Sequence, residues 1–184
     1  SLFFGENIST AQVTDLARDA KLEGIASAKD CLDLPPACAS LEKAAKDLRL
    51  TLGVDPARYT LVQLEARPGF DNLLAGLINV LEHFSALLET QAERSEGLES
   101  CWQRSTELLA GLRRWRSGEA AGGKSEDGPG SVRWGEATTW SLQLNATPLA
   151  IGEIFRKQMS GGHPRAWIFT SAALAVQKDF GHYC

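Results

Sequence analysis

The sequence predicts a mainly α domain with a small β component. Three observations carry that expectation. Apolar residues recur at steps of three and four up to Trp115, the period changes to two after Ser131, and the segments between are rich in Pro, Gly and small polar residues.

Ser9-Thr10-Ala11-Gln12 has the spacing of a capping box, in which the Ser9 hydroxyl satisfies one orphan N–H and Gln12 reaches back to the cap. Val13, Leu16 and Ala17 follow at helical spacing, so a first helix is expected into the mid-twenties. Pro35-Pro36 breaks the chain, and Pro36 is placed to open a second helix. Leu41, Ala44, Ala45 and Leu48 share one face of it, and its end is expected near Gly53. Tyr59 to Leu64 reads as a short β-prone or irregular stretch.

The strongest periodicity runs through Leu77, Val80, Phe84 and Leu87, then Gln91 and Arg94, to Leu98, Cys101, Ser105, Leu108, Leu112 and Trp115. One long helix across Gly97 and a hairpin turning near Ser95–Gly97 both produce this pattern. The unbroken phase favours the single helix, because Gly97 costs a helix only about 1 kcal/mol relative to Ala. The polar Gln91, Arg94 and Ser105 imply an imperfectly buried seam.

Residues 117–131 carry Gly118, Gly122, Gly123, Gly128, Gly130 and Pro129 among charges, the composition of a mobile loop. Beyond it Val132 and Trp134 alternate, as do Trp140, Leu142 and Leu144, with Gly135-Glu136 near a turn. This pattern predicts a β-hairpin over residues 132–145 with one buried, Trp-rich face. Thr147-Pro148 reads as a helix start, leading Leu149, Ile151, Ile154 and Phe155 to a stop at Gly161-Gly162. Ala166 to Thr170 has the pattern of a buried parallel strand.

Composition narrows the chemistry. The 184 residues are 43% hydrophobic and 23% charged, ordinary for one modest domain or two small units. The net charge of −4 means that nucleic acid can be met only locally, not over the whole surface. No apolar run reaches the roughly 18 residues of a membrane span, and no membrane partner is expected. The start lacks an initiator Met and a basic leader region, and both ends read as cut. Cys31, Cys38, Cys101 and Cys184 match no zinc or iron–sulfur spacing, so reduced thiols in a cytoplasmic protein are expected. His83, His163 and His182 form no ligand or triad spacing, leaving no metal site and no catalytic residue. Gly122-Gly123-Lys124-Ser125 imitates a phosphate loop, but no strand precedes it and Glu119, Glu126 and Asp127 would repel phosphate. It reads as a solvated linker.

Four ordered segments resemble the DinG/XPD group of superfamily 2 DNA helicases. Thr170-Ser171-Ala172-Ala173-Leu174 resembles motif III, Leu144-Asn145-Ala146-Thr147-Pro148-Leu149 the return segment before it. Glu93 to Trp102 and the opening Leu2-Phe3-Phe4-Gly5 resemble the bacterial YoaA-type branch. The resemblance implies a fragment: residues 1–8 end a first motor-domain segment, 9–145 form a helical arch domain, and 146–184 return to the motor domain with motif III. It implies a parent that is an ATP-dependent 5′→3′ DNA helicase of repair or replication, using ATP, Mg2+ and an upstream 4Fe-4S cluster. The fragment itself, lacking the phosphate loop, would hold no cofactor and be inactive alone. Motif III, implied to couple ATP to DNA, departs from the family at Ala173, where a Thr hydroxyl is usual; one lost hydrogen bond is worth about 1 kcal/mol.

Arg104, Arg113, Arg114 and Arg116 are the DNA-binding candidates, bordering a single-stranded path beneath the arch, with Trp102 or Trp115 available for stacking. The same arginines also read as a solvated helix end complementing the macrodipole, with both Trp in the core. A replication or repair protein docking on the arch is a further possible partner. The other class of function is a stand-alone helical interaction module without enzymatic activity, which would have no use for the orphan strand Ala166–Thr170.

Overall fold

The computed structural model describes residues 5–118 and 131–148. The chain divides into two compact units, residues 1–151 and 152–184, and all described residues lie in the first. That unit is mainly α with one small antiparallel sheet, as expected.

Strand β1 (Glu6–Ser9) runs straight into α1 (Thr10–Ser27). The capping box forms as the spacing predicts: the Gln12 N–H donates to Ser9 Oγ at 3.2 Å, and the Ser9 N–H donates to Gln12 Oε1 at 2.9 Å. Helix α2 (Leu34–Leu50) opens at Leu34, with the two prolines in its first turn, where a missing N–H costs nothing. Gly53, at φ 82°, takes the left-handed turn that follows it. The ambiguous stretch resolves into strand β2 (Ala57–Thr60) and the single turn α3 (Leu61–Glu65), with a second capping box between Thr60 and Gln63.

The central periodicity is a hairpin, not one helix. Helix α4 (Phe70–Gln91) passes through a 3-10 turn (Ala92–Arg94), the chain extends at Ser95, and α5 (Glu96–Ser117) returns antiparallel. Ser95 stops the continuous helix by serving as the N-cap of α5, its hydroxyl accepting the Leu98 N–H at 3.1 Å. The phase survives because both arms turn their apolar stripes toward the same core.

Helix α1 packs on α2, α2 on α4, α4 on α5, and α5 closes back on α1. Leu16, Leu41, Leu48, Leu81, Leu88 and Leu98 are completely buried between them. By length and composition Phe70–Arg94 would suffice to cross a bilayer. Its apolar stripe, from Phe70 through Leu77 and Phe84 to Leu88, is instead the core of this bundle.

Strands β3 (Ser131–Ala137) and β4 (Leu142–Pro148) complete the sheet, whose order is β1-β4-β3-β2, antiparallel throughout. Three expectations about this hairpin are corrected. The turn lies at Thr138–Ser141, where Thr138 and Ser141 bond each other, and Gly135 is mid-strand opposite Leu144. The buried face of β3 carries Gly135 and Ala137, not Val132 and Trp134, and Trp140 at the turn is 89% exposed. Small residues are needed there because α3 comes so close that a Cβ on Gly135 would lie 3.1 Å from Leu64 Cδ1. Finally, Thr147 and Pro148 extend β4 opposite Val132 and Ser131 rather than opening a helix. Their backbone is held by the ladder, which overrides a local capping signal.

Helix α5 runs through Ser117 and ends at Gly118, which caps it at φ 78°. The expected loop beyond it, the look-alike at Gly122–Ser125, the helix after Leu149 and the strand Ala166–Thr170 lie outside the described residues.

Candidate nucleic-acid interface

Helix α5 positions all four candidate arginines, and the helical turn sends them to two sides. Arg113 and Arg116 face α4: Arg113 Nη2 lies 2.8 Å from Glu82 Oε1, and Arg116 reaches both Asp71 oxygens at 3.1 Å. Arg104 and Arg114 face α1 and β1: Arg104 Nη1 donates to Asp19 Oδ2 at 2.7 Å, and Arg114 Nε donates to Glu6 Oε1 at 3.0 Å. The arginines that share one helix are therefore split in space, and each guanidinium has a carboxylate of its own.

The electrostatic consequence is direct. Hydrogen bonding to Arg116 lowers the Asp71 carboxyl below its usual range, and the same bond raises Arg116. Both members of the pair stay charged, and their fields largely cancel at a distance. A groove of about 480 Å3 between α4 and α5 is lined by Asp71, Asn79, Glu82, Arg113 and Arg116. A second, of about 410 Å3, lies between α5 and the α1/β1 junction, with Glu6, Asp15, Arg104, Glu107 and Arg114. Both carry mixed charge. A phosphate entering either one would share a guanidinium with a carboxylate already bound to it, so contact depends on close approach rather than long-range attraction.

The aromatic candidates separate as well. Trp115 is buried, its indole N–H donates to the Asn145 carbonyl at 2.9 Å, and the Arg133 guanidinium covers its ring at 5.7 Å. Trp102 is half-buried and packs against the core. Among the described residues the exposed tryptophan is Trp140, at the β3–β4 turn, with half-buried Trp134 on the sheet, both assigned to a buried face by the periodicity. Val132 and Trp134 lie on the face of β3 turned from the bundle, the Arg58 guanidinium stacks 5.7 Å from the Trp134 ring, and Trp140 projects nearby in sequence at the turn. The signal for this was the pair Gly135 and Ala137: two small residues in alternate register mark the side that another element approaches.

Among the described residues no group of three His, Cys, Asp or Glu could hold a metal. His83 is exposed and its Nδ1 lies 2.8 Å from the Asn79 carbonyl of the preceding turn. Cys31, Cys38 and Cys101 are free thiols, and burial pushes the Cys38 thiol up to about 11. Motif III, Thr170 to Leu174, lies outside the described residues.

Strands β1 and β4, the first and last described strands, pair directly, Glu6 opposite Ala146 and Ser9 opposite Gln143. Among the described residues, the five α-helices and strands β2 and β3 lie between these two paired strands in the chain.

Over 183 residues, its whole length, the chain is 31% identical to the ATP-dependent DNA helicase YoaA of Escherichia coli (strain K12), of which it spans 27%. It is 26% identical over 185 residues to the helicase of the same name from Haemophilus influenzae, of which it spans 28%. The chain thus covers little more than a quarter of the length of these relatives. No protein-family model matches it, and no solved structure does. The helicase resemblance carried by the sequence motifs holds from one end of the chain to the other.

Proposed function

We propose, from the end-to-end similarity to a segment of YoaA helicases, that this chain is the arch of an ATP-dependent DNA helicase and forms a lid over its single-stranded DNA path. The observation that carries the reading is the β1–β4 pairing. An inserted domain must leave and re-enter its host at one place, and the antiparallel stem from Glu6 to Ala146 does so. Motor chemistry then belongs to the remainder of such a protein: ATP and Mg2+ to its nucleotide site, the 4Fe-4S cluster to a domain of its own. The chain alone hydrolyses no ATP. The parent translocates 5′→3′ and serves DNA repair or replication in the cytoplasm, where a replication or repair protein is a natural arch partner.

Within this reading the arch meets DNA through α5. The arginines Arg104, Arg113, Arg114 and Arg116 line the two grooves that flank it, each able to exchange a carboxylate for a phosphate at close range. The test is binding of a fluorescent single-stranded oligonucleotide to the whole chain at low and physiological salt. The same measurement is made on a variant with Arg113, Arg114 and Arg116 changed to Ala and on Trp140→Ala. Binding that weakens with salt and with the arginine changes makes α5 a wall of the DNA channel. Loss confined to Trp140→Ala moves the contact to the sheet. No binding at low salt removes direct DNA contact by the isolated arch.

A further inference from the structure

At the turn between α1 and α2 an apolar groove of about 230 Å3 opens to solvent. Gly24, Ala28 and Leu34 form its floor. The helices meet closely there: a Cβ on Gly24 would come within 2.6 Å of Leu34 Cδ2. Ile25 and Leu32 stand at its sides and remain 53% and 81% exposed, and Leu22, three residues before Ile25 on α1, extends the apolar strip. Leu34 is buried against α1, whereas Ile25, Leu32 and Leu22 leave more than half of their surface in solvent. Surfaces of this kind, apolar and concave, mark places where another molecule lands.

The charge around the groove says what kind. Lys21 and Lys29 line it, both exposed and neither in an ion pair among the described residues. The nearby acids are mostly committed elsewhere. Asp30 is clasped by Arg94, and the Glu23 carboxylate is packed over Gly97 of α5. Glu42, which feels the charge of Lys21, is bonded by Lys46, and Asp33, at the start of α2, makes no side-chain bond to its own helix. The residues that line the groove thus include two cations and no carboxylate around an apolar hollow.

We propose that this groove docks an acidic peptide segment of a partner protein, one large apolar side chain entering the hollow and carboxylates on either side meeting Lys21 and Lys29. The volume suits a single anchor: it falls below the roughly 300–1,000 Å3 of sites that enclose a small-molecule ligand. An anchor in a desolvated hollow supplies most of the affinity, and the lysine rim supplies approach rate and selection against basic segments.

The experiment uses fluorescence anisotropy with the whole chain and a fluorescein-labelled dodecapeptide holding a central Phe-Leu pair between runs of Asp. One control peptide carries Ser in place of Phe and Leu, and another carries Lys in place of every Asp. Saturable binding of the first peptide is expected, with both controls at least about tenfold weaker. The paired change Lys21→Glu and Lys29→Glu should weaken it about tenfold, as should Ile25→Ser with Leu32→Ser. All four residues are exposed, and circular dichroism checks that the variants stay folded. The proposal is overturned if the Asp-flanked peptide does not bind, if neither pair of changes moves its affinity, or if the Lys-flanked peptide binds equally well. Concentration-dependent dimerisation abolished by Ile25→Ser with Leu32→Ser would also overturn it, because the occupant would then be a second copy of the chain.

Discussion

The Ser105 and Ser85 hydroxyls lie 2.9 Å apart, buried where α4 and α5 cross, and this contact turns two polar interruptions of the apolar seam into one satisfied pair. Ser105 also reaches the Trp102 carbonyl at 2.6 Å, so it is Ser85 that would be left with an unpaired hydroxyl in a dry interface if Ser105 were lost, at a cost of about 1–3 kcal/mol. Changing Ser105 alone to Ala should therefore destabilise the chain by about 1 kcal/mol, while the double change with Ser85→Ala should cost less than the sum of the single changes. Urea unfolding of the four proteins gives the coupling directly. Strict additivity would mean that the two hydroxyls do not depend on each other.

Gly111 faces Ile8 across the contact of α5 with β1, and a Cβ on residue 111 would lie 2.2 Å from Ile8 Cδ1. Helix propensity favours Gly111→Ala by about 1 kcal/mol, but overpacking costs about 1–3 kcal/mol. The expected result is net destabilisation, partly recovered by Ile8→Val, which removes the clashing methyl. A thermal melt of Gly111→Ala above that of the parent chain would show that β1 can shift freely on α5.

Arg49 is buried, with no carboxylate partner among the described residues. Its guanidinium donates to the carbonyls of Thr138 at 2.7 Å, Gly53 at 2.5 Å and Val54 at 3.4 Å, tying the end of α2 to the β3–β4 turn. Arg49→Met keeps most of the stem but leaves these carbonyls unpaired, so a loss of about 2–4 kcal/mol is expected. Hydrogen exchange should quicken first at the Thr138–Ser141 turn, and an unchanged turn with a lower global stability would contradict the proposed tie.

Asp30 and Arg94 join the α1–α2 turn to the α4–α5 turn. The hydrogen bond from Arg94 holds the Asp30 carboxyl down to about 2, against 3.8 for the free side chain. Because the folded value is the lower one, the pair contributes stability that is fully present above the unfolded value and is lost as pH falls from about 4 through about 2. In Arg94→Ala the Asp30 carboxyl should titrate close to its ordinary value, measured by the NMR shift of its carboxyl carbon. A titration unmoved by the change would assign the depression to the local backbone instead.

The thiols should react in order of exposure. Cys31 is partly exposed, whereas burial, with Cys101 close by, pushes Cys38 up to about 11 and burial also raises Cys101. In a Cys184→Ser background, alkylation near pH 8 followed by mass spectrometry should modify Cys31 in the folded chain and spare the other two until it unfolds. Labelling of Cys38 at the rate of Cys31 would point to frequent opening between α1 and α2.

Much of the fold was legible before any coordinates. The Ser9 capping box, the prolines in the first turn of α2, the core stripe of Leu41, Ala45 and Leu48, and the existence of a β-hairpin all rest on interactions within a few residues, and each appears where the local chemistry puts it. The helicase resemblance was legible for a different reason, since it follows from residue identities and needs no contacts.

What the chain could not declare by itself were choices between equally good local solutions. The period from Leu77 to Trp115 is the same for one long helix and for two arms sharing a core, and only the packing of α4 against α5 decides for the turn at Ser95. Val132–Trp134 and Gly135–Ala137 alternate equally well, and the buried side is set by α3 pressing Leu64 onto Gly135. Thr147-Pro148 has the residues of a helix start, yet the ladder with Ser131 and Val132 keeps it extended. The arginines of α5 share one helix and form two sets of ion pairs in space, because their partners Glu6, Asp19, Asp71 and Glu82 come from three other elements. Local sequence determined which elements form and what they could bury; which face they buried, and which charges remained open to a ligand, was decided by contacts between residues far apart in the chain, whose energies no local pattern contains.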